Sequence, residues 1–377
     1  MTRPVTGDAR MLPRLIERFE DWRQAPVAYQ AGDPRVMLRR LDEHEFAAAY
    51  DLVDAAFGRP RPRAAYEWLY RHNPRGVARC VAAFEIATGR MVSLSAEWPW
   101  PAAHHAIALP GSLSGDRATV PDWQRQGLYG NFNRYRLEHP WRGLRIAWPN
   151  HLSRHAITRM GRSAEMIGPL KRGVVLLDAQ RTLSRRGVPA ALAAPLTRAA
   201  GAAQAAWQHV RLSGGRGLRV ERLDRFDERH DALTAAAMQD WSGYWCPHDA
   251  EFLNWRYCDH PSDDYAVMAA DAGDRLVGYT VVGAVQRTAV LMELVAHPDI
   301  TAAAPALLAA ALAHARAAGA QQLEAFAPRA WRHWPLLHRI GAFERPSTRY
   351  MQFVEPQQLD RRDMDRWRLS PGDFDAL

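Results

Sequence analysis

The residues best spaced for chemistry form one stretch, Thr119-Val120-Pro121-Asp122-Trp123-Gln124-Arg125-Gln126-Gly127-Leu128-Tyr129-Gly130-Asn131-Phe132. The pattern predicts a strand ending at Val120, a tight loop over Gln124 to Gly127, and a helix from near Leu128. A loop that opens a helix presents unpaired backbone N–H groups and the positive end of the helix dipole, so it can hold an anion. Gly127 lets the backbone come close to a pyrophosphate, and Gln124 and Arg125 add side-chain donors. The stretch is neither G-x-x-x-x-G-K-[ST] nor G-x-G-x-x-G, which argues against a nucleotide triphosphatase and against a dinucleotide fold.

The elements that must position this loop occur twice. Trp68-x-Tyr70-x-x-x-Pro74 returns as Trp255-x-Tyr257-x-x-x-Pro261 at an offset of 187 residues. Arg40-Leu41-Asp42 returns as Arg222-Leu223-Asp224, Val120-Pro121-Asp122 as His297-Pro298-Asp299, Leu144 to Pro149 as Leu323 to Pro328, and Arg159-Met160-Gly161 as Arg339-Ile340-Gly341. Matches in one order, at offsets differing by loop-sized steps, point to two copies of one unit. Each copy is predicted to open with a strand and a helix and to continue with a hairpin. The hairpins are Cys80 to Leu94 around Thr88-Gly89-Arg90, and Tyr265 to Val282 around Ala272-Gly273-Asp274. A helix after Pro121 or Pro298, a short strand (Leu144 to Trp148, Gln322 to Phe326) and a closing strand (Gly173 to Leu177, Tyr350 to Val354) follow. The expected organisation is an N-terminal helical extension (1–34), a first α/β unit (35–178), an Ala/Arg-rich helical linker broken at Pro189 and Pro195 (179–215), a second unit (216–355) and a polar tail (356–377).

Composition sets the outer limits. The chain has 377 residues, 24% charged and 47% apolar, a soluble globular composition at a length that suits two domains or one large one. The longest apolar run, Ala302 to Ala313, contains Pro305 and is too short to span a membrane. The polar stretch Met1 to Arg10 does not read as a secretory signal, and three cysteines make no disulfide framework, so a reducing cytoplasm is expected. The net charge of +8 is carried almost wholly by arginine, Lys171 being the one lysine. Either a phosphate-rich partner or arginine-favouring codon usage explains this; without a block of basic residues, nucleic acid is not the expected partner.

The loop and the repeat resemble the GNAT (Gcn5-related) acyltransferase superfamily. Its signature is Q/R-x-x-G-x-G/A after a strand, and Gln124-x-x-Gly127-x-Tyr129 matches it except for the aromatic last position. Trp68-x-Tyr70 with Asn73-Pro74-x-Gly76, and Pro149-Asn150 with Ser153 and Met160-Gly161, look like tandem members found beside polysaccharide and natural-product pathways. The resemblance implies two tandem GNAT-like domains, each a mixed sheet flanked by helices. It implies a site for acetyl-CoA, or another acyl-CoA, in the first: the pyrophosphate on Gln124, Arg125, Gln126, Gly127, Leu128, Tyr129 and Gly130, and the pantetheine arm along Thr119 and Val120, with Asn150 and Ser153 close by. The implied reaction is direct N-acyl transfer to an amine of a small molecule or sugar.

Two departures bear on this. Relatives use a tyrosine as general acid four residues before the late glycine; here Ile157 stands there, leaving Tyr129, water or the second unit as proton donor. The second copy, Pro298 to Pro305, has no Gln/Arg-x-x-Gly and is expected not to bind coenzyme A. Proton removal from the acceptor needs a base beside the thioester. Asp116, near the strand leading to Val120, is the first candidate, with Glu97 and His104-His105 as alternatives and a surface aspartate as the plain reading. Glu293, in the apolar strand Val290 to Val295, stands where the resemblance implies a catalytic Glu in many relatives and would be the base of the second unit if that unit were active; Asn150 is either a catalytic or cofactor-holding amide or a turn residue. No metal is expected: Cys246-x-His248 and Cys258-x-His260 lack zinc spacing, and His151-x-x-x-His155 lacks an intervening Glu. The Trp241-x-x-Tyr244-Trp245 cluster is either core packing or the floor for a sugar ring or apolar acceptor. Three functions stay open: acyl-CoA-dependent transfer, aminoacyl-tRNA-dependent transfer, and a non-catalytic binding or regulatory role; a homodimer is compatible with any. One copy keeping the loop while the other loses it is the pattern of one active and one supporting domain.

Overall fold

The computed structural model describes residues 28–30, 32–104, 107–138, 143–150, 153–154, 164–178, 190–213, 217–347, 349–354 and 363–374. By its contacts the chain divides into two units, Met1–Gly168 with Tyr244–Pro247 and Arg349–Asp363, and Pro169–Gly243 with His248–Thr348 and Met364–Leu377. Each is built on a seven-stranded sheet.

The first unit opens with β1 (Val36–Arg40), α1 (Phe46–Phe57) and α2 (Arg63–Tyr70). Helix α1 buries Phe46, Ala49, Tyr50 and Val53, the 3–4 spacing of one helical face, and stops at Gly58, whose φ of 62° is left-handed. Strands β2 (Arg79–Glu85) and β3 (Met91–Pro99) form the expected hairpin around Gly89. A short hairpin, β4 (Ala102–His104) with β5 (Ile107–Leu109), precedes β6 (Gly111–Thr119). After α3 (Leu128–Glu138) come β7 (Leu144–Ala147) and β8 (Ala164–Ile167). The sheet order is β1-β2-β3-β6-β7-β17-β8, where β17 is Met351–Val354. Only β6 and β7 run parallel; the other neighbours are antiparallel.

In the second unit the sheet order is β10-β12-β13-β14-β15-β9-β16. Its strands are β9 (Lys171–Leu176), β10 (Arg219–Leu223), β12 (Ala266–Ala272), β13 (Arg275–Val285), β14 (Thr288–Ala296), β15 (Gln322–Ala327) and β16 (Phe343–Arg345). β11 (Tyr244–Trp245) pairs instead with β4 in the first unit. One face of the second sheet packs on α4 (Ala190–Leu212), α7 (Ala303–Ala317) and α8 (Trp334–Arg339) through Leu212, Leu307, Leu308, Ala311 and Leu337. The other packs on α5 (Glu228–Met238) and α6 (Ala250–Leu253) through Leu233, Ala237 and Leu253.

The closing strands differ from the sequence reading in one respect. The strand expected to close the first copy, β9, pairs with β15 and β16 of the second sheet. The strand expected to close the second copy, β17, pairs with β7 and β8 of the first. Each repeat lends its last long strand to the other. The linker also departs from expectation: α4 runs unbroken through Pro195 and is part of the second unit. A proline so near a helix start costs about one backbone hydrogen bond. Gln204 donates to the Leu176 carbonyl at 2.7 Å and Gln208 to that of Ile340 at 3.0 Å, fastening the helix to β9 and α8. The expected helix over Met11 to Arg23 lies outside the described residues.

Candidate functional site

In the first unit β6 and β7 pair in parallel only from Gly111/Leu144 to Ser114/Ala147. Strand β6 then runs on alone on that side to Thr119, so its backbone faces an opening between the two strands. Just past the last β7 pair, a β-bulge interrupts the pairing of β6 with β3. Leu94 pairs Ala118 but Ala96 pairs Gly115, so Asp116 and Arg117 together oppose Ser95, and Asp116 takes a φ of 39°.

The anion loop follows directly. Pro121–Trp123 make one 3-10 turn, with Trp123 buried beneath the Arg35 guanidinium at 4.8 Å. Gln124 does not point outward: its amide donates to the Thr119 carbonyl at 3.1 Å. Gln126 likewise donates to the Asp122 carbonyl at 2.7 Å, and Asp122 is paired with Arg90 at 2.7 Å. These bonds hold the loop in shape, and the Gly130 amide closes it by donating to the Gly127 carbonyl at 2.9 Å. Arg125 is exposed at a φ of 62°, and among the described residues its guanidinium has no partner. Gly127 is exposed at a φ of 82°, and a Cβ added there or at Gly130 would meet open space. Leu128 is buried and anchors the first turn of α3; Tyr129, half-buried, carries the Arg117 guanidinium 4.3 Å over its ring. The open space at Gly127 and Gly130, the exposed arginine and the helix start suit a pyrophosphate.

Asp116 is buried on the bulge with both oxygens engaged. Arg61 donates to Oδ1 and Oδ2, each at 2.9 Å, and the Tyr70 hydroxyl donates to Oδ2 at 2.9 Å. Burial and the nearby Asp116 push the Tyr70 phenol well up, so it stays a neutral donor. Asn150 is exposed, and its Oδ1 accepts from the Ser153 amide at 3.0 Å, the turn-residue alternative, which leaves its NH2 unassigned. Ser153 is half-buried in the turn so capped. Ile157, Met160 and Gly161 lie outside the described residues, as do His105, His151 and His155. His104 stacks on Tyr244 at 4.4 Å.

Glu97 sits in a buried basic cluster. Arg136 and Arg145 approach its Oε1 at 3.1 and 3.3 Å, and Arg136 also donates to the hydroxyls of Ser95 and Ser114. Burial alone would push this carboxyl up, but Arg145, Arg136, Arg79 and Arg117 outweigh it and bring it down to about 2. Burial, then Arg117 and Arg145, push Arg136 down to about 9. Glu97 is therefore a fixed anion and a poor base.

The second unit repeats the carboxylate without the loop. Its bulge lies at Met292, and Glu293 accepts from the Tyr257 hydroxyl at 2.8 Å, as Asp116 does from Tyr70. His248, at the same offset from Arg61 as Tyr257 from Tyr70, bridges Glu293 at 3.1 Å and Asp373 at 3.0 Å. Burial lowers this imidazole, but Asp373 and Glu293 prevail and raise it to about 10, so it is a cation. Both ring nitrogens are occupied, which leaves none for a metal. The Ser370 hydroxyl donates to Glu293 at 2.8 Å, and a Cβ on Gly372 would strike the Tyr257 hydroxyl and the Glu293 carboxylate. The C-terminal segment thus fills the ground beside β14 that is open beside β6. Sequence reasoning missed Arg61, Tyr70 and Arg117 as neighbours of the site. The repeated Trp-x-Tyr motif was the signal for Tyr70.

No family model and no curated protein sequence matches this chain. Solved structures do. A probable N-acyltransferase of unknown function from Enterococcus faecalis V583 is similar over 85% of this chain and 73% of its own, at 12% identity and a TM-score of 0.59. A GCN5-related N-acetyltransferase from Kribbella flavida is similar over 84% and 71%, at 16% identity and a TM-score of 0.54. A tandem GNAT protein from the clavulanic acid biosynthesis pathway is covered over its whole length by 86% of this chain, at 14% identity and a TM-score of 0.51.

The chain has a tandem GNAT fold. The two sheets, with the same strand order around the same bulged fourth strand, are its two GNAT-like domains. At these identities the likeness concerns the fold alone. Among the described residues, no helix of this tandem GNAT fold is long and apolar enough to cross a membrane.

Proposed function

We propose that the first unit is an acyl-CoA-dependent N-acyltransferase, acetyl-CoA being the expected donor and an amine of a small molecule or sugar the acceptor. The observation that carries this is the open loop Gln124–Gly130 at the end of β6, beyond the last pair that β6 makes with β7. In this reading the pyrophosphate rests on the loop from Gln124 to Gly130, and the pantetheine arm extends β6 at Thr119 and Val120. Asn150 and Ser153 border the arm from the far strand. The cofactor supplies an activated thioester; the protein's share is to hold it and to manage two protons.

Asp116 is proposed as acceptor of the ammonium proton, the incoming cation displacing Arg61 from one oxygen. Tyr129 is proposed as donor to the departing thiolate. The amine so freed would attack the thioester carbonyl directly, with no enzyme-bound acyl group, and its second proton would return to Tyr129 as the thiol leaves with the proton that Tyr129 gave. The second unit supports the first without binding cofactor. Calorimetric titration with acetyl-CoA is expected to give one site per chain, abolished by Gly127→Asp through steric block and charge repulsion. Two equivalent sites, or none, refute the reading. Asp116→Asn is expected to lower turnover far more than cofactor affinity; unchanged turnover removes Asp116 from the chemistry.

A further inference from the structure

The second unit contains a cavity of about 160 Å³ that nothing above uses. Its mouth lies at Pro298 and Pro328, just beyond the C-terminal ends of the parallel strands β14 and β15. Three tryptophans line it: Trp241 after α5, Trp331 after β15, and Trp367 in the C-terminal segment, the last almost wholly buried. Trp331 is held edge-on by Trp334 at 5.2 Å and by His333 at 5.1 Å, so its position is fixed.

Two arginines line the same cavity. Arg368 donates to the Ala237 carbonyl at 3.0 Å and touches the Met238 sulfur, and Arg332, at the rim, donates to the Ala296 carbonyl. Among the described residues neither has a carboxylate partner. Asp240 lies at the mouth, exposed, and pairs with neither. Burial first and Arg332 second push Arg368 down to about 10, against the opposing pull of Tyr279 and Glu293. His333, pushed to about 3 by burial and by the same two arginines, is neutral and adds no charge.

Flat apolar walls with unpaired guanidinium groups select a ring that carries an anion. Size narrows this further, because an apolar void of about 150 Å³ holds one benzene molecule. We propose that this cavity binds a small carboxylate built on a single six-membered ring, the ring between the indoles and the carboxylate on Arg368 and Arg332. An aromatic acid and a sugar acid share that chemistry. The proposal does not depend on cofactor binding by the first unit.

The test is calorimetric titration of the full chain with benzoate and with glucuronate, against benzamide and glucose as neutral counterparts. One carboxylate is expected to bind saturably, with a Kd at or below about 1 mM. The neutral counterpart is expected to bind at least about tenfold more weakly, the worth of a charge-assisted hydrogen bond. Benzoate binding alone identifies an aromatic acid, glucuronate alone a sugar acid. Arg368→Gln is expected to weaken binding about tenfold or more. Because Arg368 is packed against α5, Arg332→Gln at the rim is the second variant and is expected to lose affinity while keeping the melting temperature. The proposal is overturned if neither carboxylate binds, if the neutral compounds bind equally well, or if folded Arg332→Gln and Arg368→Gln both bind as the unaltered chain does.

Discussion

Gly127 and Gly89 make a matched pair that isolates the anion loop from the fold around it. Both lie in the first unit, with φ of 82° and 71°, and a Cβ at either meets nothing within 4 Å. Alanine at either position therefore costs only the left-handed backbone penalty, about 1–2 kcal/mol. For a unit of this size that is a drop in melting temperature of about 2–8 °C. Cofactor affinity is where they part. A methyl at Gly127 stands where a phosphate oxygen must approach the amides, and losing one hydrogen bond to a charged group costs about 1.5–3 kcal/mol, or roughly 10- to 150-fold in Kd. Gly89 sits in the β2–β3 turn and touches no cofactor in the proposed reading. Thermal melts and acetyl-CoA titrations of Gly127→Ala and Gly89→Ala decide the matter. Equal melting losses with affinity lost only at Gly127 is the expected result; equal affinities would mean that the phosphate does not rest on this loop.

Glu97→Gln should destabilise the first unit by about 3–5 kcal/mol, because it strips the buried arginines of their counter-charge. Since the folded carboxyl lies below its unfolded value of 4.5, its stabilisation is full above that pH and disappears as the pH falls toward about 2, which acid denaturation of the two forms would measure. His248 has the opposite sign. Its folded value of about 10 exceeds the unfolded 6.5, so its contribution is full below 6.5 and is lost as the pH climbs to about 10. Alkaline denaturation should show this limb in the second unit, and His248→Gln should abolish it. Gly372→Ala should destabilise the second unit by about 1–3 kcal/mol through overpacking against Tyr257 and Glu293, read by chemical denaturation.

What could be read from the sequence was local. The hairpin at Gly89, the glycine loop ahead of α3 and the succession of strands and helices along each copy follow from turn residues and apolar periodicity over short windows. What escaped was set by distant partners. Asp116 was legible as a carboxylate near the loop, but its clamp by Arg61 arises from residues 55 positions away. The repeat could have exposed that clamp, yet Arg61 and His248 are different residue types and only their tyrosine neighbours look alike. The Trp241-x-x-Tyr244-Trp245 cluster read as one feature, but Tyr244 stacks on His104 in the first unit while Trp241 lines a cavity in the second. Neither strand exchange leaves a local mark, since β9 and β17 are apolar runs that would suit either sheet.

The exchange of β9 and β17 governs how the molecule can be made. Ribosomal synthesis delivers β9 before the rest of the second sheet, so that sheet can close as soon as β15 and β16 emerge. The first sheet must wait. Strand β7 ends at Ala147, and its partner β17 begins at Met351. At about 5–20 residues per second that interval is roughly 10–40 s. Throughout it one edge of β7 is a bare strand, and β8 waits too, because among the described residues β17 is its one neighbour in the sheet. Nascent chains of this protein are therefore candidates for chaperone holding until the final strand arrives. A gene cut at the repeat boundary would yield two halves, each carrying the strand the other needs.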